Sequence, residues 1–138
     1  MATQAKELVK EMLASNYLTD TEVLSQYMHP ELVVHWNSSD GYVQLRYSDL
    51  SDRCKAMGAQ YEYIRHDLSH LLVDGDMVTA RYRMYMNPVE TDSDEELPIA
   101  TMISIYRIEE DRIVEVWQVS QQADDAPENL QTYLSINK

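Results

Sequence analysis

The chain has 138 residues, with 24 acidic and 11 basic side chains and a formal net charge of −13. This length is typical of one domain with its own core, and the negative charge disfavours both nucleic acid and anionic membranes as partners. The single cysteine, Cys54, cannot form an internal disulfide, and we find neither a signal peptide nor a membrane-spanning pattern. The composition therefore predicts a cytoplasmic protein.

Three helical patterns occupy most of the first sixty residues. Residues 3–16 carry apolar side chains at helical spacing. The letters TDTE from Thr19 form a capping box that would start a second helix, which should end before Pro30. A third helix is predicted over 48–60 with Ser48 as its N-cap. Its inward side chains would be Leu50, Cys54 and Met57.

Five segments have the composition and alternation of β-strands. The first, ELVVHWN at 31–37, lies between the second and third helices. Strands over 61–73 and 77–88 are joined by DGD, a hairpin pattern. A second hairpin joins 98–109 to 112–121 across EDR. Residues 1–138 are therefore expected to form one α+β domain, with helices covering one face of a curved sheet.

Two polar segments are expected to lie outside this core. The acidic loop 90–96 is interpreted as solvated, with a lid over a pocket as the alternative. The tail from Ala123 is polar and predicted to be peripheral.

The register of the first hairpin determines which side chains share an inner wall. If DGD is a three-residue loop, Val73 pairs with Met77 and one face becomes mostly apolar. A two-residue turn would mix the faces, which is disfavoured when one face is buried. The inner wall is therefore predicted to hold His66, Leu68, His70, Ala80, Tyr82 and Met84.

The order of elements, with LSQYMHPELVVHW, LLVDGDMVTARYRM and YRIEEDRIVEVWQ, resembles the nuclear transport factor 2-like superfamily over about residues 5–121. Within it, the chain is most similar to the SnoaL-like, or polyketide-cyclase-like, proteins. The resemblance implies a cone-like α+β barrel, with three N-terminal helices packed on a strongly curved, mainly antiparallel sheet around an apolar pocket. Members include cyclases, isomerases, epoxide hydrolases, dehydratases and proteins of no known reaction, and they often dimerise through the outer sheet face.

The resemblance also assigns two positions. Gln118 matches a catalytic aspartate on the last strand, which implies that Val114, Val116, Gln118 and Ser120 face the pocket. His35 matches the carboxylate of steroid-isomerase-like members on the first strand. Neither position holds an acid here, and a carboxamide does not exchange a proton near neutral pH. The usual aspartate mechanism is therefore absent.

The histidine and tyrosine side chains that remain at the predicted pocket indicate acid–base chemistry. Histidine can act as acid or base near pH 7, and tyrosine can donate to a substrate oxygen. The candidate catalytic residues are His35, His66, His70 and Tyr82. The candidate binding residues are Gln118, Val116, Met84, Leu68 and Ser120. Gln118 is expected to lie within reach of at least one of the three histidines, because a buried amide needs a partner.

Two functions of different classes remain open. The first is a small-molecule-binding protein, in which cofactor-independent isomerisation, dehydration or cyclisation would act on a small apolar molecule with a carbonyl or hydroxyl. No metal is expected, because His66 and His70 would lie about 13 Å apart along a strand. The second is a non-catalytic binding or association module that uses the outer sheet face as a homodimer. That face would carry Arg81, Arg83, Glu115 and Trp117.

Overall fold

The computed structural model describes residues 2–88 and 97–122, so the acidic loop 90–96 and the tail from Ala123 lie outside the described residues. Three helices and six strands are found in this part of the chain. The helices are α1 (Ala2–Ala14), α2 (Thr21–Tyr27) and α3 (Tyr47–Gln60). The strands are β1 (Met28–Ser38), β2 (Gly41–Arg46), β3 (Tyr61–Asp74), β4 (Met77–Pro88), β5 (Leu97–Glu109) and β6 (Arg112–Gln122).

The six strands form one curved sheet in the order β2-β1-β6-β5-β4-β3. Every neighbouring pair is antiparallel except β1 and β6, which run parallel. The three helices pack on one face of this sheet. The predicted α+β class, with helices over a mainly antiparallel curved sheet, is confirmed.

The short strand β2 was not predicted. It pairs antiparallel with β1, with Val34 opposite Leu45, and begins at Gly41, whose φ is +112°. A positive φ is the conformation that glycine adopts most readily. The pattern was present in the sequence, because Asp40–Gly41 is a turn dipeptide followed by residues with strand propensity.

The N-cap of α2 is Asp20, not the predicted Thr19. The Asp20 Oδ1 accepts the backbone N–H of Glu22 at 3.0 Å, while the Thr19 hydroxyl donates to the Asn16 carbonyl. Asp is as good an N-cap as Ser and better than Thr, so the first helical N–H groups are satisfied one residue later than predicted.

The predicted N-cap of α3, Ser48, is also wrong, because the helix already includes Tyr47. Arg46 is the cap residue, and its backbone N–H donates to the Asp49 Oδ2 at 2.9 Å. The Asp49 carboxylate therefore closes the first turn of α3. A negative charge is also favoured there by the helix dipole.

The first hairpin has a two-residue turn and a β-bulge, not the predicted three-residue loop. Asp74 pairs with Met77 across Gly75 and Asp76, and the φ of Gly75 is +62°. Between Leu68 and His70 the register shifts by one residue, which restores the predicted pairing of Leu68 with Tyr82. A bulge adds one residue to one strand, so the inner face stays apolar on both sides of it. His70, on the turn side, consequently leaves the predicted inner wall and is exposed.

The core lies between the helices and the inner face of the sheet. Fully buried apolar side chains come from every layer; among them are Val9, Met12, Leu24, Leu32, Val78 and Ile113. Each large one contributes about 1.5–3 kcal/mol relative to exposure. In the part of the chain that the structure describes, no helix is both long enough and apolar enough to cross a bilayer.

Candidate functional site

A cavity of about 160 Å³ lies between α3 and the inner face of the sheet. Most of its wall is apolar and includes Met28, Val34, Leu45, Met57, Met84 and Met102. An engineered apolar cavity of about 150 Å³ holds benzene, whereas drug-sized ligands occupy roughly 300–1,000 Å³. The space therefore suits a molecule built around one ring, and the methionines allow the wall to adapt.

Strand β6 presents Val116 and Gln118 to the cavity, whereas Glu115 and Trp117 lie on the outer face. Gln118 is half-buried and is the register partner of Trp36 on β1 and of Ser104 on β5. Within the described part of the chain its side chain makes no hydrogen bond. The carboxamide is therefore available to a ligand.

Trp36 and Arg53 lie against each other at one end of the cavity wall. The Trp36 Nε1 donates to the Ser120 hydroxyl at 2.7 Å, which fixes the plane of the indole ring. The Arg53 guanidinium lies over that ring, 5.4 Å from its centroid. Arg53 is exposed and is the one charged side chain among the described residues that line the cavity. This end of the cavity is therefore positively charged.

Three tyrosine hydroxyls supply the other polar groups. We call Tyr17, Tyr82 and Tyr106 the tyrosine cluster; all three are buried and line the cavity. The Tyr82 hydroxyl is hydrogen-bonded to the Ser104 hydroxyl at 3.0 Å and to the Tyr106 hydroxyl at 3.3 Å. Burial raises the pKa of each member of the cluster. These phenols are therefore neutral near pH 7 and can both donate to and accept from an oxygen.

His66 lies behind this cluster and does not itself line the cavity. Its ring stacks on Tyr17 at 5.4 Å and meets Tyr82 edge-on at 5.3 Å, and its Nε2 is 3.5 Å from the Tyr17 hydroxyl. The pKa of His66 is lowered to about 4, chiefly by burial and to a smaller extent by the charge of Arg65, while a hydrogen bond with the Leu13 backbone opposes the shift. His66 is therefore neutral near pH 7.

His35 does not face the cavity, contrary to the position inferred from the resemblance. Its Nε2 is 2.7 Å from the Glu115 Oε2, its Nδ1 is 3.1 Å from the Tyr42 hydroxyl, and its ring stacks on Trp117. Side chains alternate along a strand, and Val34 and Trp36 are the β1 residues that line the cavity. His35 therefore belongs to the outer face.

The predicted convergence of three histidines on the cavity is consequently wrong. His70 is exposed beyond the bulge, where its Nδ1 is 3.1 Å from the Ser69 hydroxyl. His66 is on β3, three strands away from Gln118 on β6. The expected contact between Gln118 and a histidine is not present.

The other predicted site residues divide between the cavity and its surroundings. Tyr82, Met84, Val116 and Gln118 line the cavity. Leu68 packs against the core, and Ser120 holds Trp36 without lining the cavity.

Sequence reasoning missed four lining residues that carry the chemistry of this site. They are Tyr17, Trp36, Arg53 and Tyr106. Arg53 could have been found, because it follows Leu50 by three residues on the same helical face that carries Cys54 and Met57. Cys54 itself is buried as predicted, and burial raises the pKa of its thiol.

Solved structures of similar fold support this architecture. AclR from Streptomyces galilaeus, a candidate hydroxylase, is 15% identical, with 96% of this chain and 82% of that chain covered and a TM-score of 0.68. IdmH from Streptomyces antibioticus, a candidate polyketide cyclase, is 17% identical, with 96% of this chain and 99% of IdmH covered and a TM-score of 0.65. A cystatin-fold protein from Novosphingobium aromaticivorans is 17% identical, with 83% of this chain and 96% of that chain covered and a TM-score of 0.61.

At these identities the structural likeness concerns the fold. No protein of curated function matches the chain at a significant level. The model of the SnoaL-like domain, in contrast, matches residues 11–116, most of the chain. The resemblance read from the sequence motifs is thereby confirmed, and the chain belongs to the SnoaL-like domain family.

Proposed function

We propose that this protein binds a small, largely apolar molecule with a carbonyl or hydroxyl oxygen inside the cavity. The observation that carries the proposal is the composition of the wall: apolar side chains surround neutral phenols and a carboxamide that has no hydrogen-bond partner among the described residues. Apolar pockets with few, well-placed polar groups are typical ligand sites.

The polar groups are arranged to recognise an oxygen atom. Tyr82, Ser104 and Gln118 lie on neighbouring strands, since Ser104 is bonded to the Tyr82 hydroxyl and is the register partner of Gln118. Gln118 is half-buried, and a ligand that excluded water from its amide without pairing with it would incur a cost on the order of 1–3 kcal/mol. A ligand that pairs with Gln118 avoids that cost.

Acid–base catalysis in this cavity would depend on Tyr17 and His66. No carboxylate is found among the described residues that line the cavity. His66 is neutral near pH 7, and its Nε2 is 3.5 Å from the Tyr17 hydroxyl, so the imidazole can accept the phenol proton as the Tyr17 oxygen takes one from a substrate. Cofactor-independent isomerisation, dehydration or cyclisation is the reaction class that this pair supports.

Tryptophan fluorescence tests the binding proposal, because Trp36 lines the cavity while Trp117 lies on the outer face. Benzyl alcohol is the probe. We expect its titration to change the emission of the wild type and of Trp117→Phe, and to leave the emission of Trp36→Phe unchanged. Heteronuclear NMR of Trp36→Phe then confirms that the ligand still binds. Absence of any saturable change, by either method, rejects the proposal.

A second function, association of two copies through the outer face of the sheet, is favoured by a separate observation. Ile103 and Ile105 on β5 adjoin Val119 and Trp117 on β6, and these apolar side chains are 36–61% exposed. Leu72, which is 63% exposed, lies on the same face, because it pairs with Thr79 and Thr79 pairs with Ile105. We call Leu72, Ile103, Ile105, Trp117 and Val119 the outer apolar face. Contiguous exposed apolar surface is typical of an interface.

The charges beside the outer apolar face suit a second copy of the same chain. Arg107 donates to Glu115 at 3.2 Å, and Glu115 also contacts His35. Two copies with a net charge of −13 each repel one another, and this part of the surface carries both signs of charge. We propose that the homodimer forms here.

A further inference from the structure

We propose that the molecule bound in the cavity is a small carboxylate with a single ring, and that Arg53 and Gln118 hold its carboxylate group. This inference rests on the proposed small-molecule binding and adds the chemical class of the ligand. The structural basis is the meeting of α3, β1 and β6 at one end of the cavity wall, where Trp36 contacts Arg53 and is the register partner of Gln118.

The guanidinium of Arg53 has no anionic partner within the described residues, although acidic residues outnumber basic ones by 24 to 11 in the chain. Asp49, one helical turn earlier, is the acid best placed for a pair at i, i+4 spacing. Its Oδ2 instead accepts the backbone N–H of Arg46 at 2.9 Å. The charge of Arg53 is therefore left for a ligand.

Contact with Trp36 orients the guanidinium. Arg53 lies 5.4 Å from the centroid of the indole, and the bond from Trp36 Nε1 to Ser120 holds that indole in place. Arginine commonly stacks on an aromatic face, and its planar donors match a carboxylate in a two-point arrangement. Holding the side chain before binding reduces the entropy lost when the ligand arrives.

Gln118 supplies a second donor beside the same ring. It is the direct register partner of Trp36 on the parallel strand, and its side chain also lines the cavity. A carboxylate accepts about four hydrogen bonds, so it can pair with Arg53 and with the Gln118 amide at once. An aspartate at this position would instead repel the carboxylate.

The remaining space limits the rest of the ligand. A cavity of about 160 Å³ with methionine, valine and leucine walls accommodates one six-membered ring. The hydroxyls of the tyrosine cluster are neutral, so they can pair with a hydroxyl or carbonyl on that ring. Benzoate is the simplest compound of this class.

The experiment compares benzoate with benzyl alcohol, a neutral molecule of nearly the same shape, by calorimetry and NMR. We expect the wild type to bind benzoate at least about tenfold more tightly, the range that charge-assisted hydrogen bonds supply. Arg53→Gln should remove this preference while leaving the affinity for benzyl alcohol within about twofold. The control is Lys55→Gln, which removes the same charge from an exposed position on α3 that does not line the cavity; it should keep the preference.

Gln118→Asp gives a second, independent variant. It should weaken benzoate by at least about tenfold, because like charges then meet, and should affect benzyl alcohol much less. Gln118→Asn serves as its uncharged control of the same size and should retain the preference for benzoate. Circular dichroism of each variant establishes that it is folded.

The outcomes separate the two proposals. If benzyl alcohol binds but benzoate binds no more tightly, or if Arg53→Gln and Lys55→Gln weaken benzoate equally, the carboxylate inference is overturned and the binding proposal stands. If benzoate binds without shifting the Trp36 resonance, the inference is also overturned, because the site is elsewhere. If neither compound binds at millimolar concentration, both proposals fail.

Discussion

The His35 imidazole and the Glu115 carboxylate face each other at 2.7 Å on the outer side of the sheet, across the parallel pair β1 and β6. With Nε2 donating to Glu115, Nδ1 is left to accept from the Tyr42 hydroxyl, 3.1 Å away. The hydrogen bond from His35 lowers the pKa of Glu115, assisted by Arg107 and opposed by partial burial.

This contact predicts a pH-dependent contribution to stability. Because the pKa of Glu115 is lowered by folding, its contribution is complete above the unfolded value of about 4.3 and is lost as the pH falls through the lowered folded value. For Glu115→Gln we expect the free energy of unfolding at pH 7 to fall by up to about 1 kcal/mol, since the pair is partly solvated. Urea unfolding in steps from pH 7 to pH 3 should show the difference shrinking with acidity.

A comparison variant makes that measurement specific. Glu109→Gln removes a carboxylate that contacts Arg107 at 3.1 Å but is 55% exposed, and it should have a smaller effect. A difference between wild type and Glu115→Gln that is the same at pH 7 and pH 3 would contradict the role assigned to the ionised carboxylate.

Stability should also depend on pH through His66, which is a base rather than an acid. Burial lowers its pKa to about 4, whereas the unfolded value is about 6.5. Below pH 6.5 the unfolded chain takes up a proton that the folded chain does not, so stability falls as the pH drops from about 6.5 to 4. Between pH 7 and pH 5 the loss from this group is on the order of 2 kcal/mol.

Urea unfolding of wild type and His66→Phe measures this effect. The variant keeps an aromatic ring against Tyr17 and Tyr82 but cannot titrate, so its stability should change less between pH 7 and pH 5. His70→Phe, at the exposed histidine, should retain the wild-type dependence. Equal pH dependence in wild type and His66→Phe would mean that His66 is not held neutral by the fold.

Replacing Gly58 with alanine should destabilise this protein, although the same change would stabilise an isolated helix. A Cβ at this position of α3 would lie 2.5 Å from the backbone carbonyl oxygen of Thr19. Alanine gains about 1 kcal/mol in helix propensity, but backbone atoms must shift to relieve the contact, so we expect a net loss of about 1–3 kcal/mol for Gly58→Ala.

Thermal and urea unfolding measure the loss, and Ala56→Gly at an exposed position of α3 gives the propensity contribution alone. Since α3 carries Arg53, Cys54 and Met57 to the cavity, Gly58→Ala should also weaken benzyl alcohol binding. A variant as stable as the wild type would show that α3 does not approach Thr19 so closely.

The outer apolar face predicts a dimer at tens of micromolar, roughly the concentration at which a standard interface of about 1,600 Å² should hold. Trp117→Glu places a charge on this face and should shift sedimentation towards the monomer. The matched control is Val43→Glu, because Val43 is exposed but pairs with Trp36 on β1 and so points to the other face. A monomeric wild type, or equal effects of the two variants, would reject this interface.

The sequence by itself determined the fold and most of its elements. Alternation along residues 112–121 and the two hairpin patterns depend on local period and turn chemistry, and both hairpins are observed. Alternation grouped Val116 with Gln118 on one face, the family resemblance implied that this face meets the pocket, and both side chains line the cavity. The family was recognised from motifs that build the sheet, and none of these motifs is a catalytic signature by itself.

The tertiary structure decided the register and the meeting of distant residues. The bulge beside Ser69 and the parallel pairing of β1 with β6 depend on how the whole sheet forms its hydrogen bonds. The bulge placed His70 outside the inner wall, and the parallel pairing aligned His35 with Trp117. Arg53, Trp36 and Gln118 come from a helix and two parallel strands that are far apart in sequence. Local periodicity determines the face of its own element only, so their convergence at one end of the cavity follows from long-range packing.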